Sequence, residues 1–351
     1  MNADGTLLGR SRPAGALEPL LVEPGVTDVL VNAPGEVWVD RGDGLVRAPV
    51  DLGDEAAVRR LAQRLVGAAG RRLDDACPFA DAVLPDGSRL HAVLSPVAVR
   101  GTTLSLRVPR RARFSLADLV AAGALPVDGG PWLRALVEAR LAILVSGGAG
   151  TGKTTLLATL LGLVEPDERI VVVEDTRELD PEHPHVVRLE ARPPNVEGAG
   201  AITVRELVRQ ALRMRPDRLV VGEVRGGEVI DLLAALNTGH RGGGGTVHAN
   251  EAAAVPARLE ALAAAAGMGR DALHAQLAAG IDAVVHLDRD VQGQGVVRRV
   301  TGIAVPRRGP DGIVRLIRAA GFRGTRVTVG PAYSELGSLL EARSVAVPEP
   351  R

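Results

Sequence analysis

The chain has 351 residues, a length that suits two domains. Hydrophobic residues make up 46% and charged residues 24%, a globular balance that excludes wholesale disorder. Lysine plus arginine equals aspartate plus glutamate at 42 each, so no global basic field draws the chain to nucleic acid or to an anionic membrane.

Three further counts narrow the reading. Aromatic residues are only 2%, which argues against a surface where bases stack on exposed rings, and with the zero net charge against direct DNA grip. Cys77 is the single cysteine, which excludes an intramolecular disulfide framework and a zinc site of several thiolates. Among the 42 cationic residues one is lysine, Lys153, and the rest are arginine. The longest run free of charge is 12 residues, Leu141 to Gly152. A spanning helix needs about 20, and the N-terminus carries no apolar stretch of signal-peptide length. The expectation is a soluble, cytoplasmic chain with at most a peripheral membrane role.

In chain order, residues 1–25 read as a leader with one short helix. Thr27 to Asn32 and Glu36 to Asp40, split by Ala33-Pro-Gly35, read as a hairpin. Asp54 to Ala69 has a helical period, with Val58, Leu61, Leu65 and Val66 on one face and acids at its start. Ala82 to Leu84, Arg89 to Leu94 and Thr102 to Val108 read as strands. This is a small α+β N-terminal domain, residues 1–111. Phe114 to Gly123 predicts a short helix, and 112–131 a linker with a Pro/Gly-rich joint.

From residue 132 the pattern changes. Ala142 to Ser146, Ile170 to Glu174 and Leu219 to Glu223 are short, wholly apolar strands with helical stretches between them. Such alternation predicts an α/β domain, residues 132–320, with a parallel central sheet covered on both faces. Thr203 and Glu206 form a capping-box pattern at a helix start. Ala283–Leu287, Val296–Pro306 and Gly312–Ile317 read as antiparallel strands, and 321–351 as a loosely packed tail.

The chemistry gathers around Lys153. Gly147, Gly148, Ala149, Gly150, Thr151, Gly152, Lys153, Thr154 and Thr155 spell G-x-x-x-x-G-K-T-T between a buried strand and an apolar helix. Glycines let amides turn inward around phosphates, and the helix start adds its positive end. Lys153 is expected to reach the β- and γ-phosphates of ATP, and Thr154 to ligate Mg²⁺. A compact ammonium on a flexible stem suits this place better than a wide guanidinium.

Ligands of such sheets bind at the C-terminal ends of the strands. Ile170–Val173 runs into Glu174-Asp175-Thr176-Arg177-Glu178, where a carboxylate could orient an attacking water; a surface turn is the plain alternative. Glu223 ends another and suits Mg²⁺ or its water shell. Arg213, Arg215 and Arg225 surround it and serve either phosphate or neighbouring acids. His240 and His248 flank Gly242–Gly245 and could sense a γ-phosphate, although a histidine in a structural role is the commoner finding. His91, His183, His185, His274 and His286 have no comparable context.

Together these segments resemble the ATPases of type II and type IV secretion systems, in particular the tight-adherence branch that assembles pili. The resemblance runs over about residues 20–320. It is carried by GGAGTGKTT, VVVEDTREL, ALRMRPDRLVVGEVRGGE and TGHRGGGGTVHAN in that order, with LPDGSRLHAV and TLSLRVPRR before them. It implies a RecA-like P-loop domain, a homohexameric ring and an inner-membrane platform protein as partner. It implies that Arg107 and Arg110 reach the nucleotide. It makes Glu174 the favoured water-activating residue with Glu178 its competitor, gives Glu223 the Mg²⁺-linked role, and favours His248 over His240. Arg241 and four glycines depart from the usual residues between the two histidines, and the expectation there is extra flexibility. A conjugation-type DNA-transfer ATPase and a nucleotide-gated scaffold without turnover are the alternative functions.

Overall fold

Two units divide the chain, Met1–Arg111 and Ala112–Arg351. The computed structural model describes residues 14–42, 44–108, 113–194, 198–292, 295–324 and 326–349, without the side chains of 290–292 and 295–296.

The first unit is built on period-two alternation. After α1 (Glu18–Val22) come β1 (Asp28–Ala33), β2 (Glu36–Asp40), β3 (Leu45–Ala48), α2 (Glu55–Ala68), β4 (Phe79–Val83), β5 (Arg89–Val93) and β6 (Thr103–Arg107). The strands pair antiparallel in the order β3-β2-β1-β6-β5-β4. Val29, Val31, Val37, Val39, Leu90, Ala92, Leu104 and Leu106 face one core, while their neighbours face outward. Helix α2 starts where Asp54 accepts the Ala57 amide at 2.8 Å. It lays Val58, Leu61, Leu65 and Val66 onto the sheet, each worth roughly 1.5–3 kcal/mol of burial. The stretch expected as a leader contributes to this core through Leu17, Leu20 and Leu21. Sequence reading missed β3, whose residues are mostly exposed.

The second unit begins with α3 (Leu116–Ala121), where Ser115 and Asp118 form a capping box, and α4 (Gly129–Glu138). The short helix expected over Phe114 to Gly123 is α3, and α4 begins inside the stretch expected as a linker. Then follow β7 (Ile143–Gly147), α5 (Lys153–Leu161), β8 (Ile170–Glu174), β9 (Val186–Glu190), α6 (Val204–Ala211), β10 (Arg218–Val224), α7 (Glu228–Asn237) and β11 (Gly244–His248). The chain finishes with α8 (Val255–Ala265), α9 (Arg270–Gly280), β12 (Ala283–Gln292), β13 (Gly295–Arg308), β14 (Val314–Arg323), β15 (Arg326–Val329) and α10 (Tyr333–Glu341). The sheet order is β15-β14-β13-β12-β7-β11-β10-β8-β9. From β12 to β9 every pair is parallel; β13, β14 and β15 add on antiparallel.

Alternate residues of the central strands feed two cores. Ile143, Val145, Ile170 and Val172 join Trp132, Leu136, Leu156 and Leu160 on one face. Leu144, Val171, Val173, Leu219 and Val221 join Leu232, Leu236 and Leu259 on the other. Burial on both faces explains why these strands are apolar throughout. The expected loose tail is corrected here: β15 pairs with β14, and Ala332, Leu336 and Leu340 are buried in the first core. No described helix is long and apolar enough to cross a membrane.

Candidate nucleotide site

Strand β7 leaves the sheet at Gly147, and the phosphate loop runs to Gly152. Gly150 at φ +68° and Gly152 at φ +95° adopt left-handed turns that L side chains disfavour. Helix α5 begins at Lys153 with no side chain capping it, so its first amides stay available to an anion. Lys153 is 6% exposed; its Nζ donates to the Gly148 carbonyl at 2.8 Å and lies 3.4 Å from His248 Nε2. Burial lowers the Lys153 pKa, while Glu223 pulls it back up. Thr154 follows it on the first helical turn and donates from Oγ1 to Glu178 at 3.3 Å. Thr155 is held in the same turn, its carbonyl accepting from Thr159 at 2.9 Å.

Parallel register brings three more strand ends to this edge. His248 stands opposite Gly147 on β11, and Glu223 and Glu174 end the buried runs of β10 and β8. The His248 ring sits 3.0 Å from Glu223 Oε1, an arrangement in which Nε2–H donates to the carboxylate. Arg225 donates to the other Glu223 oxygen at 2.6 Å. Burial alone would raise Glu223, but the Arg225 hydrogen bond, its charge, His248 and Lys153 together hold its pKa below the usual value. Glu223 is therefore an anion among cations. His248 is pushed down by burial and then by Lys153, against Glu223, which keeps its ring neutral at neutral pH.

Glu174 differs from the other carboxylates. It is 5% exposed, and its Oε1 accepts from the Glu178 and Leu179 amides at 3.0 and 2.9 Å. Burial raises its pKa to about 7, with the two amides opposing. Gly222 makes room for it, because a Cβ there would stand 2.6 Å from Glu174 Cγ. Glu178 is exposed and touches Thr154. The buried acid thus holds the turn that carries the accessible one.

The structure brings together Gly147 to Thr155, Glu178, Glu223, Arg225 and His248, with Glu174 behind them. It separates others. His240 precedes β11, at the opposite edge of the sheet, with Nδ1–H toward the Ala235 carbonyl at 3.3 Å. Arg213 and Arg215 are exposed ahead of β10, also at that far edge. These three are corrected as direct neighbours of this chain's own loop. Arg107 ends β6 of the first unit, exposed and opposite Asp28 and Arg89. Arg110 lies outside the described residues.

The glycine run is corrected as well. Gly242 rests on the Arg218 guanidinium, where a Cβ would come within 2.8 Å. At Gly243, Gly244 and Gly245 a Cβ would overlap the carbonyls of Leu219, Ile143 and Val221. The run is a tight passage between β10 and β7, not a flexible tether.

Sequence reasoning missed three contributors. Glu228, buried at the start of α7, accepts the Arg225 and Gly226 amides at 2.6 and 2.7 Å and so fixes the turn beside Glu223. An acid opening a helix after two glycines was the available signal. His286, buried on β12, bonds Ser146 Oγ at 2.8 Å just before the loop. Arg298 on β13 donates to the Gly150 carbonyl at 2.8 Å. Neither carries a local signal.

A glycine loop at the C-terminal edge of a mostly parallel sheet, with lysine, threonine and strand-end carboxylates converging on it, defines a RecA-like P-loop ATPase. The family model described as type II/IV secretion system protein matches residues 11–306. A Mycobacterium tuberculosis protein carrying the name "Putative conjugal transfer protein Rv3659c" is 61% identical over 301 residues, 84% of this chain and 85% of that one. The type IV secretion system protein PtlH of Bordetella pertussis is 35% identical over 82% of this chain and 92% of its own. The Legionella pneumophila ATPase DotB shares the fold, with a TM-score of 0.59 at 16% identity over 85% of this chain and 82% of that one. The chain belongs to the type II/IV secretion system ATPase family.

Proposed function

We propose that this chain is the ATP-driven motor of a pilus-assembly or secretion machine of the tight-adherence type, acting as a homohexamer on an inner-membrane platform protein. The observation that carries the reading is the convergence of Lys153, Thr154, Glu178, Glu223 and His248 on one strand edge. The donor set suits Mg-ATP. Thr154 Oγ1 and the Glu223 carboxylate are hard oxygens, and Mg²⁺ is usually held by one or two such groups plus substrate phosphates. These two residues would hold Mg²⁺ or its water shell, and the ion would supply positive charge against the negative charge that builds on the phosphates.

The residues then take distinct roles. Loop amides and Lys153 hold the β- and γ-phosphates. Glu178 takes a proton from the attacking water as the new P–O bond forms, and the bond from the γ-phosphorus to the bridging oxygen breaks. Glu174 acts as a positioning residue, because its buried carboxylate grips the Glu178 amide. His248, neutral and hydrogen-bonded to Glu223, senses the γ-phosphate through Lys153 and Glu223. Release of phosphate loosens these contacts, and the change is passed on as movement.

A DNA-transfer machine is the second reading, favoured by the conjugal-transfer name of the 61% identical relative. Deleting the gene while scoring surface pili and plasmid transfer separates the two. Loss of pili alone supports the first. Loss of transfer with pili intact replaces it with the second.

A further inference from the structure

We propose that Arg289 and Arg298 form a second wall of the nucleotide site: Arg298 positions the phosphate loop through Gly150, and Arg289 contacts the adenosine end of the nucleotide. The inference rests on reading the loop as the ATP site.

Strands β12 and β13 lie beside β7 and pair antiparallel, with Leu287 opposite Val300 and Arg289 opposite Arg298. Leu287 and Val300 are buried in the core beneath α5. Two residues along each strand, on the same face, the arginines reach the loop. Arg298 Nε donates to the Gly150 carbonyl at 2.8 Å, and its Cδ stands 3.8 Å from where a Gly152 Cβ would be. Arg289 Nη1 stands 3.4 Å from where a Gly150 Cβ would be. Phosphate-loop amides turn inward, so carbonyls turn out and need a donor there. Arg298 supplies it, which fixes the plane of that peptide.

Arg289 answers a different need. Arg289 faces Arg298 across the strand pair, so an electron-rich group placed against the two is favoured. The γ-phosphate end of the site is set by Glu223 and His248 on β10 and β11, on one side of β7. The other side of β7 is β12, so the adenosine end faces the arginine pair. Among the described residues of this unit, Trp132 and Phe322 lie in the core, with Phe114 and Tyr333 packed against it, so no Phe, Trp or Tyr is spare for stacking. A guanidinium plane stacks on a purine and donates hydrogen bonds as well.

The test measures ADP and inorganic tripolyphosphate as competitive inhibitors of ATP hydrolysis by the full chain. Arg289→Ala should weaken ADP about tenfold and leave tripolyphosphate, which lacks adenosine, within threefold of wild type. Arg298→Ala should weaken both. Arg298→Gln should restore both, because the glutamine Nε2 occupies the place of the arginine Nε. Unchanged ADP inhibition in Arg289→Ala overturns the proposal, and so does an equal loss of ADP and tripolyphosphate. Arg298→Gln behaving no better than Arg298→Ala overturns the positioning role. Arg289 is exposed, so its variant folds even where changes at 298 do not. Lys153→Ala hydrolysing ATP at the wild-type rate would instead overturn the reading of the loop itself.

Discussion

Replacing Glu174 by glutamine should stabilise the protein in a pH-dependent way. The carboxyl titrates near 4.5 when unfolded and at about 7 in the fold, where burial disfavours its charge. Between those values the fold keeps a proton that the unfolded chain has released. Stability therefore falls as pH rises through the window, and the loss is complete above about pH 7. A shift of this size corresponds to ~3 kcal/mol. Glutamine carries no charge, and its Oε1 can still accept from the Glu178 and Leu179 amides. Denaturant unfolding of both proteins should give nearly equal stabilities at pH 4.5. At pH 8 the variant should be more stable by ~3 kcal/mol at most. A difference that does not change with pH, or a variant less stable at pH 8, would refute the account of Glu174 as a buried, desolvated acid.

Other expectations follow from the same geometry. Glu178→Gln should lower kcat by about 100-fold or more while ADP affinity stays within threefold, and Glu174→Gln should lower kcat less; the reverse order in steady-state assays would give the base role to Glu174. His248→Gln keeps an amide donor toward Glu223 and should keep more turnover than His248→Ala, read as kcat at saturating ATP. Gly244→Ala should cost more than ~3 kcal/mol or prevent folding, because its Cβ would enter the Ile143 carbonyl between two rigid strands; a normal melting temperature would refute that packing.

The phosphate loop was legible because its chemistry is local: glycines, lysine and threonine at fixed spacing between a strand and a helix. Strands β7, β8 and β10 were legible because burial on both faces forbids polar residues. The C-terminal strands and α10 were underread because Arg315 and Arg318 break the apolar runs, although neighbouring Ala319, Ala320 and Phe322 are buried. His240 looked close to the site because it is eight positions from His248 in the chain. Strand β11, about 17 Å of extended chain ending at His248, lies between them and puts the two histidines at opposite ends of the sheet. Arg298 and His286 were invisible for the converse reason. They reach the loop and its leading strand from 148 and 140 residues away, through a register that only the folded sheet sets.

Phosphate release from Mg-ATP by the purified chain and by Lys153→Ala is the most direct test of the site. The wild-type chain should turn over steadily, and the variant should fall to background with its melting temperature unchanged in the absence of nucleotide. Equal turnover in the two proteins would contradict the assignment of hydrolysis to this loop.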